Sequence, residues 1–206
     1  MKTYQPITPE IIDKLKAITG PSYVKTDRDI LLQYQTDYET NPAMFRVPEA
    51  AVLPANAEEI AQIVKLANEY DFPITVRGGG TSLAAGAIPV CGGLVLSMER
   101  LNKIIELNEE GMYMVVEAGV RTIDIPNLAK SKGLLYAGDP CSSDSCLIGG
   151  NLATNAGGNK AVRYGTTRHQ GYAIEVVLPN GKIANLGAPL KKCSTGFCLD
   201  QLVIGS

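Results

Sequence analysis

Glycine is distributed very unevenly along this chain of 206 residues: of 21 glycines, six lie in 78–93 and six in 149–171, so 39 residues hold twelve of them. Glycine alone adopts left-handed backbone freely and lets another backbone or a ligand come close, because it has no Cβ. Two separate segments of this protein therefore require permissive backbone or close approach. Whatever the chain folds into has to place both.

The first segment, VRGGGTSLAAG (76–86), sets three consecutive glycines directly after an apolar run that reads as a strand. Bare backbone N–H groups in such a loop can turn toward an anion. The segment lacks the Gly-Lys-Ser/Thr ending of a P-loop, and Gly78, Gly79 and Gly80 do not have the G-x-G-x-x-G spacing of a dinucleotide fingerprint. Taken alone it is equally readable as a tight turn in a crowded sheet. The second segment, 139–165, carries four formal charges in 27 residues and is rich in small polar side chains. Gly149-Gly150 and Gly157-Gly158 allow the chain to lie against a flat ring or a diphosphate, with Asn151, Thr154 and Asn155 as hydrogen-bonding groups. One such loop in each of two lobes implies a ligand in a crevice.

Composition narrows the partners. Nineteen basic residues against 21 acidic ones, with no dense basic run, leave no electrostatic footprint for nucleic acid or an anionic membrane. The longest uncharged stretch, Gly78 to Met98, contains six glycines and a proline, so no transmembrane segment is expected. The N-terminus has no apolar core of a signal peptide, which predicts a cytoplasmic protein with its five cysteines reduced.

Periodicity and punctuation predict an α/β alternation. Thr8-Pro9 opens a helix that Gly20 stops, and a second helix is expected over roughly Asp27 to Tyr38. The proline-bearing stretch 41–54 should be extended. Asn56 with Glu59 opens a third helix with Ile60, Ile63, Val64 and Ala67 on one face. Strands follow at 73–76, 93–98, 104–107 and 113–117, then a helix from Thr122 to about Lys132. Strand 173–178 turns back through Asn180-Gly181, a two-residue hairpin signal, into 183–186. These elements divide into an N-terminal helical segment (1–45), a first lobe (46–108) and a second lobe (109–206).

Taken together, RGGGTSL (77–83), VEAGV (116–120), DP (139–140), IGGNLATNAGGN (148–159), YGTTRH (164–169), VVLPNGKI (176–183) and LVIGS (202–206) make the chain resemble, over nearly its whole length, a known family. It is similar to the FAD-binding domain of the vanillyl-alcohol-oxidase or PCMH type, in the group of FAD-linked D-lactate dehydrogenases and glycolate oxidase flavoprotein subunits. The resemblance implies an α+β, two-lobed domain. It implies that Arg77, Gly78, Gly79, Gly80, Thr81 and Ser82 cradle the FAD diphosphate. Pro140, Ile148, Gly149, Gly150, Asn155, Ala156, Gly157, Gly158 and Gly165 would line the cofactor. Some relatives attach FAD through a histidine in the first loop; Thr81 follows the glycines here, so FAD is expected to be noncovalent. Relatives continue past LVIGS into a further FAD-binding segment and a substrate-binding cap with a histidine-rich catalytic site, so the chain is expected to be a C-terminally truncated fragment, inactive alone, whose catalytic residues lie elsewhere. The parent is expected to oxidise a small D-2-hydroxy acid such as glycolate or D-lactate by hydride transfer to FAD. Its electrons would pass to an electron-transfer flavoprotein, an iron–sulfur subunit or a quinone pathway.

The alternative is a non-catalytic nucleotide- or phosphate-binding module that uses the same loops. His169 is the sole histidine and is expected to order the loop after Gly165 rather than to catalyse. Cys141/Cys146 and Cys193/Cys198 are spaced C-x4-C, unlike the tight pairs of structural zinc, and are expected to be thiols; no metal is predicted. Lys191-Lys192 is read as a solvated pair, and Tyr34 with Tyr38 as helix packing.

Overall fold

Thr8 and Pro9 begin the first helix for local reasons. The Thr8 Oγ1 accepts from the Ile11 N–H at 3.4 Å, and Pro9 has no N–H to leave unpaired at the first helical position. Helix α1 (Pro9–Thr19) ends where Gly20 takes φ +90°. Its Ile11 and Leu15, four residues apart on one face, are buried. The computed structural model describes residues 3–190, 192, 194 and 196–206. Contacts divide the chain into two units, Met1–Arg100 with Val177–Ile183, and Leu101–Val176 with Ala184–Ser206.

The first unit is built on a four-stranded sheet of β1 (Val24–Lys25), β2 (Ala50–Val52), β3 (Ile74–Arg77) and β4 (Leu94–Ser97), in the order β1-β2-β4-β3. β2, β4 and β3 are parallel, with Ala51 and Thr75 both in register with Val95, and β1 runs antiparallel to β2. All residues of β2 and β4 are buried, as the continuous apolar run of a covered parallel strand requires. Between β2 and β3 runs α3 (Ala57–Tyr70), capped by Asn56, whose Oδ1 accepts from Glu59 N–H at 2.8 Å. The Glu59 carboxylate reaches back to Ala55 N–H rather than to the cap itself. The glycine loop leaves the carboxyl end of β3, the end of a parallel sheet where ligands ordinarily bind.

Residues 27–38 do not form one helix. α2 (Arg28–Leu31), capped by Asp27, passes at once into a single 3-10 turn, Leu32–Tyr34. Leu31 and Tyr34 pack with Ala51 and Val95, and the carbonyls of Gln33 and Thr36 accept from Arg77 instead of continuing a helical ladder. The stretch expected to be extended is likewise interrupted by a 3-10 turn, Pro42–Met44, which Asn41 opens by accepting from Ala43 N–H.

In the second unit β5 (Ile104–Asn108) pairs antiparallel with β6 (Tyr113–Val116), with an irregularity between Ile104 and Glu106. The division between units falls at Arg100/Leu101 rather than near 108, because β5 finds its partner across a short turn in β6. Helix α4 (Asp124–Ser131) and α5 (Ile148–Thr154) supply Ile125 and Ile148 to a core with Val120, against which Ile104, Met114, Val116 and Tyr136 pack. Short helices α6 (Ala161–Tyr164) and α7 (Thr167–Gln170) lead to the paired strands β7 (Ala173–Val177) and β8 (Ile183–Gly187), and α8 (Leu199–Val203) follows.

The β7–β8 turn has three residues, not two. Leu178 and Lys182 close it, Gly181 N–H donates to Leu178 O at 2.8 Å, and Gly181 takes φ +73°, the left-handed position of a three-residue hairpin. This tip is counted with the first unit: Asn68 Nδ2 donates to Pro179 O at 2.7 Å, and a Cβ on Gly181 would fall 2.6 Å from Lys65 Cγ. No helix among the described residues is long and apolar enough to cross a membrane.

Candidate functional site

The loop after β3 is shaped from behind by the side chain at its root. Arg77 is buried, and its Nη1 donates to Thr36 O (2.7 Å) and Ala87 O (3.3 Å) while Nη2 donates to Gln33 O (3.4 Å). The Tyr34 ring lies 5.7 Å from the guanidinium. No carboxylate forms an ion pair with Arg77 among the described residues. Burial lowers its pKa, while the charges of Asp37 and Glu99 work the other way. Gly80, at φ +67°, lies directly over this side chain: a Cβ there would be 2.2 Å from Nη2.

Beyond Gly80 the loop is fastened by Ser82. Its Oγ accepts from Ala84 and Gly86 N–H (3.2 and 3.3 Å), and its carbonyl accepts from Tyr38 N–H at 3.0 Å. Asp37 Oδ2 accepts from Ala87 N–H at 3.3 Å and ties down the far end. Between these fastenings the N–H groups of residues 78 to 83 donate to no acceptor among the described residues. Gly78, Gly79, Gly80, Thr81 and Ser82 thus carry a run of free donors on a held loop, the arrangement that binds an anion through backbone.

In the second unit the structure sets Gly158 against 139–140, while 148–150 form the first turn of α5, held by 118–120. Pro140 is buried, and Gly158 sits so close to the Asp139–Pro140 peptide that a Cβ would be 1.7 Å from Asp139 O. Ile148 and Gly149 N–H donate to Val120 O and Ala118 O (2.9 and 2.8 Å), and a Cβ on Gly149 would meet Ala118 Cβ at 2.9 Å. Gly150 differs: nothing lies within 4 Å of its Cβ position, and its N–H donates to no described residue. Around Gly157 only ordinary contacts occur, the nearest at 3.7 Å to Thr166.

The polar side chains of this segment face the protein. Asn151 is buried and its Nδ2 donates to Thr122 Oγ1 at 2.7 Å, beside the buried Cys146 thiol. Thr154 Oγ1 donates to Gly150 O, and Asn155, at φ +49°, accepts through Oδ1 from Thr166 Oγ1 (2.8 Å) and Arg168 N–H (2.9 Å). Ala156 O accepts from both Thr167 N–H and Oγ1. Gly165, at φ +81°, lies under the His169 ring, whose Nδ1 accepts from Thr166 N–H at 3.2 Å. His169 therefore orders its own turn. Sequence reasoning gave no bracing role to Ala118, Thr122, Gln33 and Thr36; Ala118 lies in the motif VEAGV, but each of the four acts through a carbonyl, a methyl or one hydroxyl, which a motif does not reveal.

Cys91, Cys141, Cys146 and Cys198 are free thiols. Cys193 and Lys191 lie outside the described residues. Among the described residues no three His, Cys, Asp or Glu side chains converge on a metal-sized site.

The end of a parallel strand here carries a held loop whose N–H donors are unpaired among the described residues. That donor set suits a diphosphate such as that of FAD. The chain matches the FAD binding domain family over residues 48–187 and belongs to it. It is 38% identical over 200 residues to the glycolate oxidase subunit GlcD of Bacillus subtilis strain 168, covering 97% of this chain and 42% of that protein. It is 40% identical to D-lactate dehydrogenase of Anaerostipes hadrus, covering 98% of this chain and 42% of that protein. It is 39% identical to D-2-hydroxyglutarate dehydrogenase of Stutzerimonas stutzeri strain A1501, covering 96% and 42%. The chain thus spans less than half the length of these relatives. Its fold is shared with alkyldihydroxyacetonephosphate synthase (TM-score 0.83, 22% identity, 100% of this chain and 38% of that one). It is shared also with p-cresol methylhydroxylase (TM-score 0.77, 25% identity, 94% and 39%). The α+β architecture is that of a PCMH-type FAD-binding domain.

Proposed function

We propose that this chain is the FAD-binding part of a flavoprotein oxidoreductase that oxidises a small D-2-hydroxy acid, glycolate and D-lactate being the leading candidates. The observation that carries the reading is the fastened loop 78–83 with its row of unpaired N–H groups, in a chain of the FAD binding domain family. Its relatives named as glycolate oxidase, D-lactate dehydrogenase and D-2-hydroxyglutarate dehydrogenase support the substrate class.

In this reading Gly78, Gly79, Gly80, Thr81 and Ser82 hold the diphosphate through backbone N–H groups. Pro140, Ile148, Gly149, Gly150, Asn155, Ala156, Gly157, Gly158 and Gly165 shape the surface along the rest of the cofactor, with Gly150 as its point of closest approach. Acceptance of the hydride from the hydroxy-bearing carbon is the chemistry FAD supplies when bound. This chain's residues bind and orient the cofactor. Thr81 follows the glycines and supplies no histidine for attachment, so FAD is held noncovalently. Electrons leave for a separate acceptor, an electron-transfer flavoprotein or iron–sulfur subunit, in the cytoplasm.

Titrating the purified protein into FAD while following flavin fluorescence tests the reading. Saturable quenching with one FAD per chain, and release of intact FAD on denaturation, is the expected result. Absence of binding in this chain and in a longer protein that includes it would end the flavoprotein assignment.

A further inference from the structure

The geometry around Arg77 points to a role distinct from that of the loop it precedes: we propose that Arg77 is a positioning residue that sets the shape of loop 78–82 from beneath and supplies the positive field that draws a diphosphate to the loop's free N–H groups. The inference rests on the phosphate-binding reading of that loop and assigns what makes it work.

Three observations carry it. First, the guanidinium is engaged by carbonyls of three places in the chain, Gln33, Thr36 and Ala87, so it fixes the two segments that flank the loop to the strand from which the loop springs. Second, Gly80 packs on the guanidinium so tightly that a Cβ would overlap Nη2 and Cζ at 2.2 and 2.6 Å. The turn therefore follows the contour of the arginine head, and the third glycine of the triplet is required by the protein's own side chain. Third, Arg77 is buried, its hydrogen bonds among the described residues go to carbonyls and no described carboxylate contacts it, so the more distant Asp37 and Glu99 offset its charge only in part. A buried cation against neutral acceptors projects its field through low-dielectric surroundings toward the free donors above it. Lysine could keep the charge but cannot span three acceptors with a planar fork.

Two measurements on the 206-residue protein test this. The first is a double-mutant cycle on denaturant midpoint with Gly80→Ala and Arg77→Met. Gly80→Ala should destabilise strongly in the wild-type background, where the guanidinium fills the space. In the Arg77→Met background the flexible thioether chain can move aside, so Gly80→Ala should cost much less, leaving only the positive-φ penalty. Additive effects would overturn the shaping role. The second is the FAD dissociation constant of wild type, Arg77→Met and Arg77→Lys across a range of ionic strength. Arg77→Met should weaken FAD at least tenfold and flatten the salt dependence, while Arg77→Lys should restore the salt slope but only part of the affinity. A folded Arg77→Met variant with wild-type affinity and slope would refute the electrostatic role. If neither this chain nor a longer protein that includes it binds FAD, the cofactor reading fails along with the electrostatic half of this one; a coupled cycle would then still establish the loop-shaping half.

Discussion

The glycines of 78–86 and those of 149–165 are alike in the sequence and differ in their surroundings. In the first loop Gly80, the last of the triplet, stands over one buried side chain, Arg77, and the triplet's N–H groups have no acceptor among the described residues. In the second segment Gly149, Gly158 and Gly165 are each pressed against the protein itself, by Ala118, the Asp139–Pro140 peptide and His169, and only Gly150 stands open. One cluster leaves its N–H donors unpaired among the described residues; the other mostly lets chain segments pack on one another so that one open glycine is held in place. A glycine-rich stretch is thus no uniform sign of a ligand contact, and the neighbours of each missing Cβ separate the two uses.

That contrast can be broken most sharply at Gly158. Replacing it with alanine sets a methyl group 1.7 Å from a backbone oxygen that cannot swing away. Overpacking against backbone should remove about 3 kcal/mol or more of stability, read as the denaturant midpoint or as loss of the folded protein. A Gly158→Ala protein of normal stability would mean that the 139–158 contact is not a fixed part of the fold.

The next effect concerns the apolar seat of the second segment. Burial, reinforced by the nearby Cys146 charge, pushes the Tyr136 hydroxyl up to about 12 from 10.0. The folded protein therefore retains this proton where the unfolded chain gives it up. The contribution is complete below about pH 10 and is lost as pH rises toward 12, by roughly 2–3 kcal/mol in total. Tyr136→Phe should remove that part of the alkaline loss, and stability profiles of the two proteins that fall in parallel from pH 9 to 12 would contradict it.

Thr122→Val tests the brace beneath α5. The substitution preserves shape but leaves the buried Asn151 Nδ2 facing a methyl in place of its acceptor at 2.7 Å, and should cost about 1–3 kcal/mol. Adding Asn151→Leu should then cost less than it does alone. Smallest of all should be Gly150→Ala: with nothing near its Cβ position and a place in a helix, it should change stability by less than about 1 kcal/mol, in the stabilising direction. Its effect should appear in FAD affinity instead. If Gly150→Ala binds FAD as wild type does, the open glycine is not where the ligand comes close, and the division drawn between the two segments loses its ligand-facing half.

Local chemistry decided much of this fold. Thr8, Pro9 and Gly20 bound α1, and Asn56 opens α3, because a side-chain oxygen, a missing N–H and a left-handed residue act over one turn of chain. The glycine segments were visible for the same reason. Tertiary partners overruled local pattern elsewhere. The helix expected over 27–38 stops short because Arg77 takes two of its carbonyls, and β5 leaves the lobe expected for it because β6 completes its ladder.

The sequence by itself determined the ends of α1 and the start of α3, the strands from β3 to β8, the places where backbone freedom is needed and, through motifs in order, the family. Only the tertiary structure decided that Arg77 points under its loop, that Asn151 and Asn155 spend their hydrogen bonds on the protein, and that Gly150 alone of its segment's crowded glycines stands open. Such assignments depend on which distant carbonyl, methyl or peptide arrives beside a residue, and a one-dimensional pattern does not encode that arrival residue by residue; it emerges when burial forces every polar group to find a partner.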